Sequence, residues 1–463
     1  MPTRSLHVVL IQPHTPADGP FERLGRSDLP PLGLLYLAAA LERAGHRVTV
    51  FDLNLALRTG RVVRRIARER PDVVGIGTLA PCQPVVEDLA RRLRPVMAPG
   101  ALLIAGGADA TTRTALYTGG GQFDAVLVGE AERSLVELCA AFPRVPRIPG
   151  VIPAGDEDCA PPARIVADEA AFPARHLLPL RRYRGGPAYK RGRYTASIFT
   201  HRGCPYRCTF CEQGVHAGKV RFRSAGSIFE ELQQLRHDHG IRDIRFIDDV
   251  LISRRSVLWE LIELLLGSGE RFDWLCTGRI DLADDELLRA MHRAGCYRVE
   301  YGIESGSDRI LAMTDKGFDV AAAEAAVQRT RAAGIETIAN FIMGFPTETE
   351  DEIEQTIELA LRLDAEYAIF FPFCPYQGAE ITREFGLRWG PEYPAFRAPS
   401  PHYPVDTDRL IGRVDQAYSR FYFRPGYVAR RLTAVRNGWI YWDLGRMAAA
   451  HAARRGWARM AGS

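Results

Sequence analysis

Lysine is nearly absent from this chain. Only Lys190, Lys219 and Lys316 occur in 463 residues, and arginine carries almost all of the positive charge. At a net charge of +4, with abundant Ala and Gly, that bias fits a GC-rich coding genome better than a nucleic-acid site. No basic tract is interleaved with aromatics as a single-strand-binding groove requires. The densest basic run, Arg61–Arg70, has apolar residues at helical spacing and reads as a solvated helix face. Long apolar runs are missing as well. No stretch of about 18 uninterrupted apolar residues exists, so no membrane span is expected. The opening MPTRSLHVVLIQP lacks a small-residue cleavage site and ends its apolar stretch at Pro13, so it reads as a first strand and not a signal peptide. Nine unevenly spaced cysteines, an odd number, do not form a disulfide framework and point to a reducing, cytoplasmic setting.

At 46% hydrophobic residues, a chain of this length has material for two or three cores. Residues 1–150 alternate strand-like segments (His7–Gln12, Val48–Leu53, Val73–Gly77, Leu102–Ala105, Ala125–Gly129) with helical ones such as Pro31–Ala44 and Pro84–Leu93. This pattern predicts an α/β unit with a parallel, doubly wound, Rossmann-like sheet. Ligands on such sheets bind beyond the C-terminal strand ends. Residues 151–190 sit in a Pro- and Gly-rich stretch that reads as a linker, with Cys159 incidental. From Tyr194 a second alternating series counts to six strands: Thr195–Thr200, Arg245–Asp248, Trp274–Arg279, Arg298–Glu304, Glu336–Gly344 and Tyr367–Cys374. It occupies 191–380. Residues 381–463 read as a helical cap, with helices near Ile411–Phe421 and Tyr427–Val435 and a frayed RRGWARMAGS end.

One motif stands out, His201–Cys211, HRGCPYRCTFC. Cys204, Cys208 and Cys211 have the spacing C-x3-C-x2-C. Three thiolates this close suit three corners of a [4Fe–4S] cubane, leaving one iron open for a substrate or cofactor. The competing readings are a zinc site completed by His201 or His216, or three incidental buried thiols. Zinc usually takes four ligands from repeated C-x2-C pairs, and no second pair is present.

With its flanks, TASIFTHRGCPYRCTFC, this motif resembles the radical S-adenosylmethionine (SAM) superfamily, in the branch with an N-terminal cobalamin (B12)-binding-type domain. FIDDV (Phe246–Val250), YGIESGSDRIL (Tyr301–Leu311) and NFIMGFPTET (Asn340–Thr349) are similar to segments of that branch, and the likeness runs from about residue 6 to about 445. The resemblance implies a partial, open (β/α)6 barrel whose working residues sit at the C-terminal strand ends. It implies a [4Fe–4S] cluster on Cys204, Cys208 and Cys211 whose open iron binds SAM. Phe210, Asp248, Arg279, Glu304, Ser305, Asn340 and Gly344 are then the SAM-binding candidates. Asp248 has three readings: a contact to the SAM ammonium, a contact to substrate, or a helix N-cap. Arg279 needs an anionic partner, the methionine carboxylate or a nearby acid. Glu300, Gly302 and Glu304 share one face at period two. Gly344 lets adenine approach the backbone, and Asn340 suits a ribose hydroxyl. Lys316 reads as a loop surface charge and Cys374 as a wall residue.

On the first sheet the resemblance implies a corrinoid beside Gly77, Thr78, Gly106, Gly107 and Gly129. The D-x-H-x-x-G motif that ligates cobalt in many cobalamin domains is missing, since His14 stands in PHTP. Two readings follow: cobalamin bound without that histidine, or a domain kept for packing. The leading functional expectation is cobalamin-dependent C-methylation of a small molecule in antibiotic biosynthesis, with an external electron donor such as a flavodoxin or ferredoxin. The alternatives are dehydration of an aminoglycoside-type sugar diol without cobalamin, and an iron–sulfur redox sensor.

Overall fold

The computed structural model describes residues 4–15, 29–55, 58–162, 164–183, 185–192, 194–212, 216, 220–387 and 407–434. The first sheet has six strands: β1 (His7–Gln12), β2 (Arg47–Asp52), β3 (Val73–Thr78), β4 (Leu102–Gly107), β5 (Ala125–Leu127) and β6 (Val151–Pro153), in the order β2-β1-β3-β4-β5-β6. Five strands run parallel and β6 closes the edge antiparallel. In β1, Val8 and Leu10 face one core while Val9 and Ile11 face the other. Helices cover both faces, so the strand reads as an unbroken apolar run. β6 lies inside the stretch read as a linker. Three residues flanked by Pro and Gly carry too short a pattern to be recognised as a strand.

Six parallel strands form the second sheet: β7 (Thr195–Ile198), β10 (Asp243–Phe246), β11 (Asp273–Gly278), β12 (Cys296–Glu304), β13 (Glu336–Met343) and β14 (Tyr367–Pro372). They lie side by side in chain order, with β7 and β14 at the edges. Each crossover carries a helix, as a right-handed βα series requires. The starts of those helices are written locally. Ser224, Asp284 and Asp319 cap their own N-termini, and Thr349 forms a capping box with Glu352. The open edge at β14 is covered by the helix Thr407–Tyr422. The Tyr422 hydroxyl accepts from the Ala368 amide (3.1 Å) and donates to the Ala368 carbonyl (2.8 Å), and the Tyr418 hydroxyl accepts from the Phe370 amide (3.1 Å). These side chains stand in for a neighbouring strand. The expected RRGWARMAGS end lies outside the described residues. A short antiparallel pair, β8 (His201–Arg202) with β9 (Arg221–Phe222), brackets the cysteine loop.

The segment between the two sheets is laced to both. Tyr183 donates to Asp52 (2.8 Å) and Arg182 to the Leu55 carbonyl (2.8 Å), while Tyr189 donates to Glu300 (2.9 Å). Buried Arg175 pairs with fully buried Glu231 at 2.5 Å, and Arg223 binds the same carboxylate. Among the described residues no helix is long and apolar enough to cross a membrane.

Two predictions test these ties. Glu231→Ala strands two buried guanidinium groups, so the free energy of unfolding in urea should fall by about 3–5 kcal/mol. At the base of the barrel, Asp243 accepts from the amides of Arg191 (2.7 Å) and Gly192 (2.6 Å) and from the Thr195 and Tyr297 hydroxyls (both 3.1 Å). Burial nevertheless pushes its carboxyl up to about 6. A raised acid pKa means the folded state holds the proton longer, so stability is full below about pH 4 and declines as pH rises to about 6. That loss, on the order of 3 kcal/mol, should vanish from the pH profile of urea midpoints in Asp243→Asn.

Candidate active site at the barrel mouth and the facing sheet edge

The cysteine loop leaves the C-terminal end of β7. Its root is fixed by Asp248, at the end of β10. One carboxylate oxygen accepts from the amides of Thr200 (2.6 Å) and His201 (3.0 Å), and the other from the Thr200 hydroxyl (2.9 Å). Asp248 is buried and spent on the loop itself, so the structure places it under the cluster loop and not facing open space as a SAM contact. Further along, Thr209 donates its amide to the Thr314 carbonyl (3.2 Å) and its hydroxyl to that of Met313 (2.9 Å). The Cys211 amide turns back to the Cys208 carbonyl (3.0 Å).

Cys204, Cys208 and Cys211 are free thiols. Burial raises the Cys204 thiol; burial, then Asp249 and the other two thiols, push Cys211 up to about 12. A bound cationic cluster reverses that balance, because a coordinating thiol deprotonates. Among the described residues no three His, Cys, Asp or Glu side chains converge on a single metal-ion position. Cubane ligation asks for something else, since each thiolate binds a different iron. The two histidines open to a zinc reading are engaged elsewhere. His201 Nδ1 lies 3.2 Å from the Thr200 hydroxyl and 3.4 Å from Asp248, and His216 Nδ1 lies 3.1 Å from Glu130. Three free thiols, with no fourth donor beside them among the described residues, fit a [4Fe–4S] cluster with one open iron.

Around the mouth, Arg279 is buried and forked onto Asp281 (3.0 and 3.2 Å), with its guanidinium 3.8 Å from the Tyr206 ring centre. Asp281 is a nearby acid of the kind expected as its partner. Glu304 sits at a β-bulge with φ +73 and pairs with Lys316 at 2.9 Å. Lys316, which the sequence suggests is a surface charge, is only 8% exposed. A Cβ on Gly302 would fall 2.3 Å from the Glu304 carboxylate and 3.0 Å from the Lys316 ammonium, so a larger residue there would shift the ends of this pair. Ser305 is fully buried, with its hydroxyl 3.2 Å from that of Thr356, so it stiffens the loop. Phe210 packs edge-on against Phe345 at 5.8 Å. The Gly344 and Phe345 amides both donate to Glu348, whose carboxyl burial pushes up to about 7.

Deeper in the barrel, Glu300 accepts from Asn340 (2.7 Å), Tyr189 (2.9 Å) and Arg245 (3.1 Å), and Arg245 lies 3.6 Å from the Tyr189 ring centre. Glu300 is thus a neutralised network member. Asn340 Oδ1 and Arg245 Nε are buried and have no partner among the described residues. Tyr189 lies in the linker, and Arg245 stands just ahead of the FIDDV motif without being part of it, so neither is singled out by the sequence. Cys374, on the far side, is half-buried and its thiol is pushed up to about 12 by burial.

Opposite the mouth, the strand ends of the first sheet open into a mainly apolar cleft of about 280 Å³ that is open to solvent on one side. Gly77, Thr78, Gly106, Gly107 and Gly129 all line it, as do Gln12 and Tyr36, while His14 does not. Thr78 ties β3 to β4, donating to the Gly106 carbonyl (3.0 Å) and accepting from the Ala110 amide (2.9 Å). Gly107, at φ +118, has room for no side chain, because a Cβ falls 2.6 Å from the Thr78 carbonyl oxygen. The other wall comes from the barrel: Phe199, Arg202 and His216. Arg202 binds Glu132 (2.6 Å) and Glu130 (3.2 Å) and lies 5.1 Å from the Tyr36 ring centre. Burial alone would raise the Glu130 carboxyl, but hydrogen bonds from His216 and Arg221, with the Arg202 charge, hold it far below the usual range. A broad apolar floor with bare backbone at its rim fits a large flat ligand such as a corrin.

Comparison with known proteins agrees with this geometry. Residues 198–360 match the model of the radical SAM superfamily, and residues 25–139 match that of the B12 binding domain. An uncharacterized methyltransferase from Pyrococcus horikoshii is 29% identical over 437 residues, spanning 91% of this chain and 93% of the relative. Cytidylyl-2-hydroxyethylphosphonate methyltransferase from Streptomyces wedmorensis is 27% identical, over 79% of this chain and 80% of its own. Among solved structures, the radical SAM methyltransferase TsrM from Kitasatospora setae, with cobalamin and a [4Fe–4S] cluster bound, shares the fold at TM-score 0.66. The match is 21% identical and covers 84% of this chain and 80% of that one. The cofactor set of the two matched domains is a [4Fe–4S] cluster with SAM on the barrel and cobalamin on the preceding sheet. The chain thus carries a radical SAM domain preceded by a B12-binding domain.

Proposed function

We propose that this enzyme methylates an unactivated carbon of a small-molecule substrate in secondary-metabolite, antibiotic-type biosynthesis, using one electron at a time from a flavodoxin or ferredoxin. The observation that carries the reading is that the segment leading into the cysteine loop walls the cleft on the first sheet. Phe199 and Arg202 line that cleft, and Arg202 stands two residues from Cys204. That adjacency favours methylation over diol dehydration without cobalamin, which needs no such cleft. A redox sensor, in turn, has no use for a lined barrel mouth.

When bound, SAM at the cluster supplies a 5′-deoxyadenosyl radical that takes hydrogen from the substrate, and methylcobalamin supplies the methyl group. The chain's own part is to hold, orient and keep dry. Cys204, Cys208 and Cys211 hold the cluster. The ion pair of Glu304 with Lys316 and the fork of Arg279 on Asp281 bring two acids and two bases to the rim, where the amino, carboxylate and ribose groups of SAM need them. Asn340 Oδ1 offers an acceptor for a hydroxyl donor. Gly344, with φ +89 and its amide held by Glu348, presents bare backbone to a flat base. Phe199, Phe210 and Tyr36 line the walls and exclude water, which protects a radical from side reactions. The same reading divides the chain at about 150, 190 and 380, with β6 assigned to the first unit.

Two experiments test it. Anaerobically reconstituted Cys204→Ala, Cys208→Ala or Cys211→Ala protein should lose cluster iron and form no 5′-deoxyadenosine on reduction with SAM; cleavage that persists at the native rate in all three contradicts the assignment. Gly107→Val should weaken hydroxocobalamin binding about tenfold or more, followed by corrin absorbance, and leave iron content unchanged. Mass spectrometry of product then separates the reactions: methylation adds one CH2, and dehydration removes one water.

A further inference from the structure

Lys316 is one of three lysines in the chain and it is buried at the barrel mouth. The segment that carries it is bound to the cluster loop at several points. Thr209, between Cys208 and Cys211, donates to the carbonyls of Met313 (2.9 Å) and Thr314 (3.2 Å). Arg279 donates to the Lys316 carbonyl at 2.5 Å while lying against Tyr206, between Cys204 and Cys208. The Lys316 ammonium itself lies 5.9 Å from the ring centre of Phe210, the residue before Cys211, and 5.7 Å from that of Phe318. Its one ionic partner among the described residues is Glu304, at 2.9 Å. An ammonium pinned this way cannot swing out to water as surface lysines do.

A cluster held by three thiolates becomes more negative when it takes an electron. A fixed cation beside it, in a poorly hydrated pocket, favours the reduced form, because charge and solvent exposure set cluster potentials. We propose that Lys316 is a positioning residue that sets the reduction potential of the cluster, drawing it to a less negative value so that an external donor can load it. The inference rests on the cluster assignment proposed above for Cys204, Cys208 and Cys211. It differs from a purely structural latch, which would hold the loop but leave the potential alone.

The test is a mediated redox titration of the full-length, anaerobically reconstituted holoenzyme, followed by the EPR signal of the reduced cluster. Lys316→Met should move the midpoint to a more negative potential, and Lys316→Arg should stay close to the native value. Removing the lysine alone leaves Glu304 buried without its partner and risks misfolding. The comparison of Glu304→Gln with Glu304→Gln/Lys316→Met avoids that orphan charge and should show the same negative shift. Unchanged midpoints in both comparisons, with iron content intact, overturn the role of Lys316 and leave the cluster standing. A native protein that takes up no [4Fe–4S] cluster overturns the assignment and the inference together.

Discussion

The carboxylate of Glu130 is where the two halves of this molecule are tied. It sits at the end of the first sheet, is 6% exposed, and gathers Arg202, Arg221 and His216 from the hairpin and loop that carry the cysteines. A buried carboxylate is costly unless its partners are in place, so the contact is satisfied only when the two sheets meet in one arrangement. That arrangement sets the distance between the cleft rim at Gly77, Gly106 and Gly129 and the root of the cluster loop. Radical chemistry with two cofactors needs such a fixed gap, since a reactive centre misplaced by an ångström loses much of its rate.

The same logic recurs inside the barrel. Polar groups there are arranged in closed sets: Glu300 with Arg245, Tyr189 and Asn340, Glu304 with Lys316, Arg279 with Asp281. Each set neutralises its charge within the protein before any ligand arrives. Asn340 Oδ1 and Arg245 Nε, both beside Glu300, are among the buried atoms left without a partner in the described residues and suit a ligand or an ordered water. The loops that follow β12 and β13 are also braced against each other. Arg309 reaches from one to the Thr347 carbonyl of the other (2.9 Å) and to Glu352 (2.7 Å), holding Thr347 at φ +65. A strained turn kept by two partners is a rigid platform for a bound cofactor.

Much of this is legible in the residues alone. Alternating strands and helices specify parallel sheets because a strand buried on both faces must be continuously apolar, as β1 and β3 are. The C-x3-C-x2-C spacing specifies the cluster because ligand geometry is local, with all three donors within one short loop. The cleft glycines are legible for a related reason. Each ends a strand, and bare backbone there has few other uses. Side-chain partners are not legible. Asp248 suits a cofactor contact in the sequence and instead anchors the loop beneath it, while Lys316 suits a solvated loop and is buried. Both depend on residues elsewhere in the chain, 48 positions away for Asp248 and Thr200, and 12 for Lys316 and Glu304.

Short-range chemistry along the chain is enough to specify two parallel α/β units, a three-cysteine loop with the spacing a [4Fe–4S] cluster takes, and a glycine-lined rim at the strand ends of the first sheet. Strand periodicity, metal-ligand spacing and glycine's missing Cβ all act within a few residues. Three outcomes needed the folded chain: which carboxylates are consumed inside the protein, that Lys316 stands buried beside the cysteine loop, and that Arg202, just ahead of that loop, lines the cleft on the first sheet. Those outcomes follow from charge pairing across the fold, where desolvation makes each buried ion choose the nearest opposite charge in space, wherever it lies along the chain.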